Sequence, residues 1–151
     1  MLNKSEKLFI IIGILGLLPF FGGLLDLLIN KNNLLFAINL PKYYGSIIFS
    51  FLGAIYWGAM LNLTPKRFIH EKIKFFIIIW SVFPSIFGIT ILTIKSNLSL
   101  LMLSIGFLLC QLVDEICNKY LSFPNWYLPL RRILTLIVII ILICSYFIIQ
   151  S

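Results

Sequence analysis

Five apolar stretches, each long enough to cross a bilayer as a helix, alternate with shorter polar segments along the chain. An α-helix rises about 1.5 Å per residue, so about 20 residues cross a hydrocarbon core of roughly 30 Å. The pattern predicts an all-α polytopic membrane protein, folded as one domain over residues 1–151 and built as a bundle of five transmembrane helices. The predicted spans cover residues 8–29, 43–63, 75–94, 98–118 and 131–149.

The second stretch, residues 43–63, carries a row of small side chains. They recur every four residues, which places them on one side of a helix, where a neighbouring backbone can approach closely. We expect this row to pack against another helix and Phe49, on the opposite side, to face lipid. The row consists of Ser46, Ser50, Ala54 and Gly58.

The composition excludes an ordinary soluble domain. Hydrophobic residues make up 61% of the chain and charged residues only 11%, whereas soluble proteins carry about 25% charged residues. The net charge of +7 invites a nucleic-acid-binding interpretation, but the charges lie between the apolar stretches, where they set membrane orientation. We therefore expect the lipid bilayer, and no nucleic acid, as a partner.

Lysine and arginine are distributed unevenly between the two sides of the membrane. Nine of them fall at the N-terminus and around the segments that follow the second and fourth spans, whereas Lys31, Lys42 and Lys95 fall on the other side. Short loops rich in basic residues stay on the cytoplasmic side. The distribution predicts a cytoplasmic (or matrix) N-terminus and a C-terminus on the opposite side.

Acidic and basic residues meet where the fourth span ends and the fifth begins. Asp114 and Glu115 lie in the last turns of one predicted helix, where the macrodipole is negative. Arg131 and Arg132 open the next helix, where the macrodipole is positive. A short linker makes the two helices antiparallel neighbours, so an ion pair between them would relieve both conflicts. In the alternative account, the arginines hold lipid phosphates and the acids face water.

Two further features have both a structural and a functional interpretation. Asp26, the other intramembrane carboxylate, is expected to reach water at the outer end of the first span. The alternative for Asp26 is a proton or cation relay to Asp114. Four aromatic residues fit a belt at the inner membrane interface, with a pocket for a quinone, a lipid or another amphipathic ligand as the alternative. They are Tyr56, Trp57, Trp126 and Tyr127.

The sequence predicts no catalytic site, cofactor or metal site. His70 is the single histidine and is expected to be a solvated loop residue. The glycines of GILGLLPFFGG lie inside the first span, so they form no phosphate-cradling loop after a strand. We expect no enzyme activity. The cysteines form no paired motif and are interpreted as small apolar filler: Cys110, Cys117 and Cys144.

Several short motifs occur in order along the chain: GLLPF at 16–20, FLGAIYWG at 51–58, SVFPS at 81–85, Asp114 and FPNWYLPLRRILT at 123–135. Together they resemble a family of small inner-membrane proteins of unknown function that includes the mitochondrial transmembrane protein 69. The resemblance covers nearly the whole chain. It implies a five-helix bundle in a bacterial inner membrane or its mitochondrial counterpart, and it implies no activity.

Three classes of function remain open at this point. The small size and scarce polar groups favour a structural or accessory component of a membrane complex, with other membrane subunits as partners. A small carrier or channel for an ion or metabolite would use kinks expected at Pro19 and Pro84. A lipid- or quinone-binding protein would use the aromatic residues and arginines at the inner end.

The charge distribution gives a testable topology. Reporter fusions to the two ends of the chain should report opposite sides of the membrane, with the N-terminus on the cytoplasmic or matrix side, because short basic loops are retained there. The activity of a reporter enzyme that works on only one side of the membrane measures this directly. Detection of both ends on one side of the membrane would contradict the five-span arrangement.

Overall fold

The computed structural model describes residues 3–29, 34–61, 70–121 and 123–150. Within these ranges the chain is α-helical and contains no strand. Six helices follow one another along the described chain: α1 (Lys4–Leu15), α2 (Leu18–Ile29), α3 (Leu34–Leu61), α4 (Glu71–Thr93), α5 (Leu98–Leu121) and α6 (Tyr127–Gln150).

Five helical segments are long and apolar enough to cross a membrane. α1 and α2 together make up the first, and α3 to α6 make up the others. The protein is therefore an all-α polytopic membrane protein, as the hydrophobic pattern predicts. Parts of two predictions lie outside the described residues, namely the end of the second span at 62–63 and the basic residues Lys31, Lys66 and Arg67.

The first span is interrupted between α1 and α2, at Gly16 and Leu17. Pro19 explains the interruption, because it lacks an N–H donor and its ring would collide with the carbonyl of Leu15 in a continuous helix. α1 accordingly ends at Leu15, and the amide of Leu17 donates to the carbonyl of Ile14 at 3.0 Å. In place of the expected kink, the helix of this span is interrupted at Gly16 and Leu17.

α3 begins at Leu34, well before residue 43, where the second span is predicted to start. Its first turns pack on α2, since a Cβ placed on Gly23 would lie 3.1 Å from the carbonyl oxygen of Ala37 and 2.8 Å from Pro41 Cδ. Ala37 and Pro41 are both buried. Tertiary packing therefore keeps this segment helical, although a proline inside a helix removes one backbone hydrogen bond.

α3 is the central helix of the bundle and packs on α2, α4 and α5, while α6 packs chiefly on α5 and α2. Three phenylalanine rings from different helices fill the centre. Phe107 of α5 meets Phe20 of α2 and Phe49 of α3 edge to face, with ring centroids 6.2 and 5.7 Å apart. Each is at most 1% exposed. Rings in this arrangement pack favourably, so the centre of the bundle is apolar and dense.

The small-residue row of α3 does not pack as predicted, and Phe49, expected to face lipid, is 0% exposed. A four-residue step overshoots one helical turn by about 40°, so the row rotates by about 120° over three steps. The row therefore passes from the inside of the bundle to its outside. Along it, Ser46 is buried, Ser50 is half-buried, and Ala54 and Gly58 are exposed.

The buried face of α3 instead alternates steps of four and three residues, which keeps it on one side of a helix. Its members are Gly45, Phe49, Leu52 and Tyr56, all buried. Gly53, beside this face, sets the distance to α4. A Cβ placed on Gly53 would lie only 2.5 Å from the carbonyl oxygen of Ser81, so no larger residue fits without moving the helices apart.

Substituting these two glycines of α3 separates inner from outer positions. Gly53→Leu should lower the free energy of unfolding by about 1–3 kcal/mol or more, because it overpacks the contact with α4. Gly58→Leu should change stability little, because a Cβ there would meet no other atom within 4 Å. Both changes raise helix propensity alike, so each is a control for the other. Equal melting temperatures in detergent would contradict the packing.

Candidate functional site

Asp114 and Arg131 form an ion pair inside the bundle. α5 and α6 run antiparallel and are joined by a short linker, which brings the end of one beside the start of the other. Arg131 Nε donates to Asp114 Oδ2 at 3.1 Å. Asp114 is 1% exposed and Arg131 is 7% exposed. The pairing expected from the two helix dipoles is present, and it is buried.

The second carboxylate oxygen of Asp114 accepts a short hydrogen bond from the hydroxyl of Tyr56 on α3. Tyr56 is 0% exposed, so its assignment to an aromatic belt at the membrane interface is wrong. A buried carboxylate is stable only when its oxygens have donors. Tyr56 and Arg131 supply one donor to each oxygen, so Asp114 connects α3, α5 and α6.

The hydrogen-bond network extends from Arg131 along both helices. Arg131 Nη1 donates to Thr135 Oγ1 at 2.9 Å, and the Thr135 hydroxyl donates to Gln111 Oε1 at 3.5 Å. Gln111 Nε2 donates to Glu115 Oε1 at 2.8 Å. Arg132 closes the network with two bonds to the carboxylate of Glu115, at 2.6 and 2.7 Å. We refer to these residues, with Asp114 and Tyr56, as the ion-pair network.

The two ion pairs of the network differ in their surroundings. The side chains of Arg131 and Asp114 are 8% and 2% exposed, whereas those of Arg132 and Glu115 are 60% and 34% exposed. Breaking one partner of a buried pair leaves an uncompensated charge in a medium of low dielectric constant, while an exposed pair is screened. The inner pair therefore contributes more to the stability of the fold. Glu115 accepts both hydrogen bonds of the Arg132 guanidinium, which the alternative account assigned to lipid phosphate.

The two predicted belt tryptophans lie in different surroundings. Trp57 of α3 is 57% exposed, on the outer surface of the bundle. Trp126 is half-buried, and its ring stacks on Phe9 of α1 with centroids 5.7 Å apart and an interplanar angle of 13°. Trp126 therefore attaches α1 to the start of α6, a structural contact that sequence periodicity alone does not indicate.

Asp26 lies far along the bundle from Asp114. It is near the end of α2, beside the start of α3, whereas Asp114 contacts α3 near its end. A relay would need intermediate polar groups, and two serines that could serve bond within their own helices. Ser50 donates to the carbonyl of Ser46 at 3.0 Å, and Ser104 to that of Leu100 at 2.9 Å. These contacts give a proton or cation relay no support.

Lys42 is a buried cation that the sequence analysis assigned to a loop. It lies inside α3, is 5% exposed, and its Nζ donates to the carbonyl oxygen of Ile94 at 2.5 Å. Ile94 caps the C-terminus of α4, where the helix dipole is negative and favours a cation. The signal available in the sequence was the apolar character of residues 34–41, which continues the helix past Lys42.

The remaining chemistry-bearing side chains form no reactive set in the described part of the chain. No group of three histidine, cysteine or acidic residues lies together there as metal ligands. His70 is exposed and caps α4, where its Nδ1 accepts from the amide of Lys72 at 3.3 Å. The cysteines are unbonded to one another, with Cys110 and Cys117 buried and Cys144 exposed.

The fold and the site define a small helical membrane protein held together by a buried ion-pair network. The chain belongs to the family described as protein of unknown function DUF3429, whose model matches residues 5–147. Comparison with curated proteins and with solved structures gave no match. The family is thus established, and because its function is unknown, a function for this protein must be inferred from its own structure.

Truncating each acid of the network tests which ion pair stabilises the fold. Asp114→Ala should cost about 3–5 kcal/mol, because it leaves Arg131 charged and buried. Glu115→Ala, the matched control one residue along the same helix, should cost markedly less, because its partner remains hydrated. Unfolding in detergent measures both, and the double variant Asp114→Ala/Arg131→Ala should lose less than the sum of its single variants. Equal losses for the two acids, or additive losses in the cycle, would contradict the buried pair.

Proposed function

We propose that the protein is a structural or accessory component of a larger membrane complex, and that a partner helix packs on the outer surface of α3 and α4. The observation that carries this proposal is the exposed half of the small-residue row. Ala54 and Gly58 lie on the outer surface of α3, next to the exposed ring of Trp57. Small residues at such a position let a second backbone approach closely.

A groove accompanies these small residues on the outer surface. Its volume is about 320 Å³, and it lies between α3 and α4. Helices in lipid associate through van der Waals packing and interhelical hydrogen bonds, because lipid tails are as apolar as the side chains. A groove beside an exposed glycine offers such packing to a partner helix. The lining residues are Trp57, Met60, Leu61, Ile78 and Ser81.

The polar groups of the interior favour this role over transport or catalysis. Asp114 is bonded to Arg131 and to Tyr56, and Arg131 is bonded to Asp114 and Thr135. The centre of the bundle, between Asp26 and Asp114, is filled by apolar rings. A carrier would need polar groups that exchange partners, and an enzyme would need a reactive set, so we expect neither activity.

The proposal includes a location and an orientation. We expect a bacterial inner membrane or the mitochondrial inner membrane, and we expect likeness to the proteins that include transmembrane protein 69, on the strength of the motifs shared along the chain. The basic residues support an N-terminus on the cytoplasmic or matrix side.

Photo-crosslinking in native membranes tests the partner surface. A photoreactive amino acid at Leu61, which is 76% exposed beside the groove, should give a discrete adduct with one membrane protein. The same probe at Ile140 of α6, 52% exposed, is the control and should give none. Gly58→Leu should abolish the Leu61 adduct and the stoichiometric co-purification of the same protein, while the melting temperature of the chain stays unchanged. Equal labelling from both positions, or an adduct insensitive to Gly58→Leu, would overturn the proposal.

A further inference from the structure

A cleft separates α1 from the rest of the bundle. No residue of α1 is buried, and the helix contacts the bundle mainly through α6. Two cavities lie along this cleft, one of about 190 Å³ and one of about 270 Å³. Arg131 and Leu134 border both cavities, so the two adjoin at the start of α6. Protein sites for small molecules begin at roughly 300 Å³, a size that the cavities reach together.

Two polar groups in this cleft have no hydrogen bond within the described chain. Arg131 Nη2 is buried without an acceptor, although Nε and Nη1 are bonded to Asp114 and Thr135. The hydroxyl of Tyr127 is also buried and without a hydrogen bond. It lies next to the Arg131 guanidinium and interacts with it, and both residues line the smaller cavity. Buried donors of this kind ordinarily have partners.

The other walls of the cleft are mostly apolar. The larger cavity is lined mainly by aliphatic and aromatic side chains from α1, α2, α3, α5 and α6, including Ile12, Ile48, Phe107 and Val138. The smaller one ends at the stacked rings of Phe9 and Trp126. An apolar site with a few convergent polar groups is the usual form of a small-molecule site.

The charges around the cleft indicate which kind of hydrogen-bond acceptor would suit Arg131. Among the described residues that line the two cavities, Arg131 is the charged one, and its charge is already balanced by Asp114. A second anion would place an uncompensated negative charge in a medium of low dielectric constant, which is costly. An uncharged oxygen satisfies the remaining N–H without that cost.

We propose that this cleft binds an amphipathic molecule whose uncharged carbonyl oxygen accepts hydrogen bonds from Arg131 Nη2 and the Tyr127 hydroxyl, with its apolar part lying between α1 and α6. The ring carbonyl of a quinone and the ester carbonyl of a glycerolipid share this chemistry. The proposal is independent of the partner surface on α3 and α4.

Native mass spectrometry of the full-length protein in mild detergent tests the site with three probes: decylubiquinone, dioleoylglycerol and the anionic dioleoylphosphatidylglycerol. At least one of the two uncharged probes should give a saturable one-to-one adduct. Binding of decylubiquinone alone assigns the ring carbonyl, and binding of dioleoylglycerol alone assigns the ester. Saturable binding of the anionic lipid alone would overturn the uncharged acceptor.

Two matched pairs of variants locate the adduct. Leu134→Phe, which fills both cavities, should abolish it, whereas Leu136→Phe at a 60% exposed position of the same helix should leave it unchanged. Tyr127→Phe should weaken binding about two- to tenfold by removing one hydrogen bond, whereas Tyr146→Phe near the other end of α6 should not. Circular dichroism in the same detergent reports whether each variant is folded. If Leu134→Phe does not fold, the Tyr127→Phe comparison decides. No saturable adduct with any probe, or equal binding by both members of a folded pair, would overturn the site.

Discussion

The buried carboxylate of Asp114 constrains the arrangement of the whole bundle. A charge removed from water must be compensated by nearby donors, and its two donors come from different helices, Tyr56 on α3 and Arg131 on α6. Each of these helices is therefore held at a fixed rotation and depth relative to α5. The same contacts relieve the unfavourable positions of the acid at a helix C-terminus and of the arginine at a helix N-terminus.

Close backbone contact between α3 and α4 also fixes the arrangement of the bundle. Gly53 lets α3 lie directly against Ser81 of α4, and the alternating steps of four and three residues keep the buried side chains of α3 on one side. A row spaced strictly by four turns away from this side and emerges on the surface at Ala54 and Gly58. The same helix thus packs in the core with one face and exposes small residues on another.

The interruption before Pro19 lies at the cleft beside α1, because Gly16 and Leu17 line the larger cavity. α1 rests on the bundle through contacts such as the stacking of Phe9 on Trp126. Arg131 is among the residues that line the cavities beside α1. The residue that stabilises the fold through Asp114 thus also borders this cleft.

The sequence by itself determined the class of the fold and indicated an ion pair between the end of the fourth span and the start of the fifth. Segment lengths follow from the bilayer thickness, and adjacent helices joined by a short linker bring the two acids near the two arginines. Only the tertiary structure decided that Asp114 meets Arg131 and Glu115 meets Arg132. The third member, Tyr56, lies 58 positions away from Asp114, so no local pattern shows their contact. The direction in which a helix face points depends on its rotation about its own axis. Packing against all neighbours at once sets that rotation, and so only the tertiary structure decided that Phe49 lies inside and Gly58 outside.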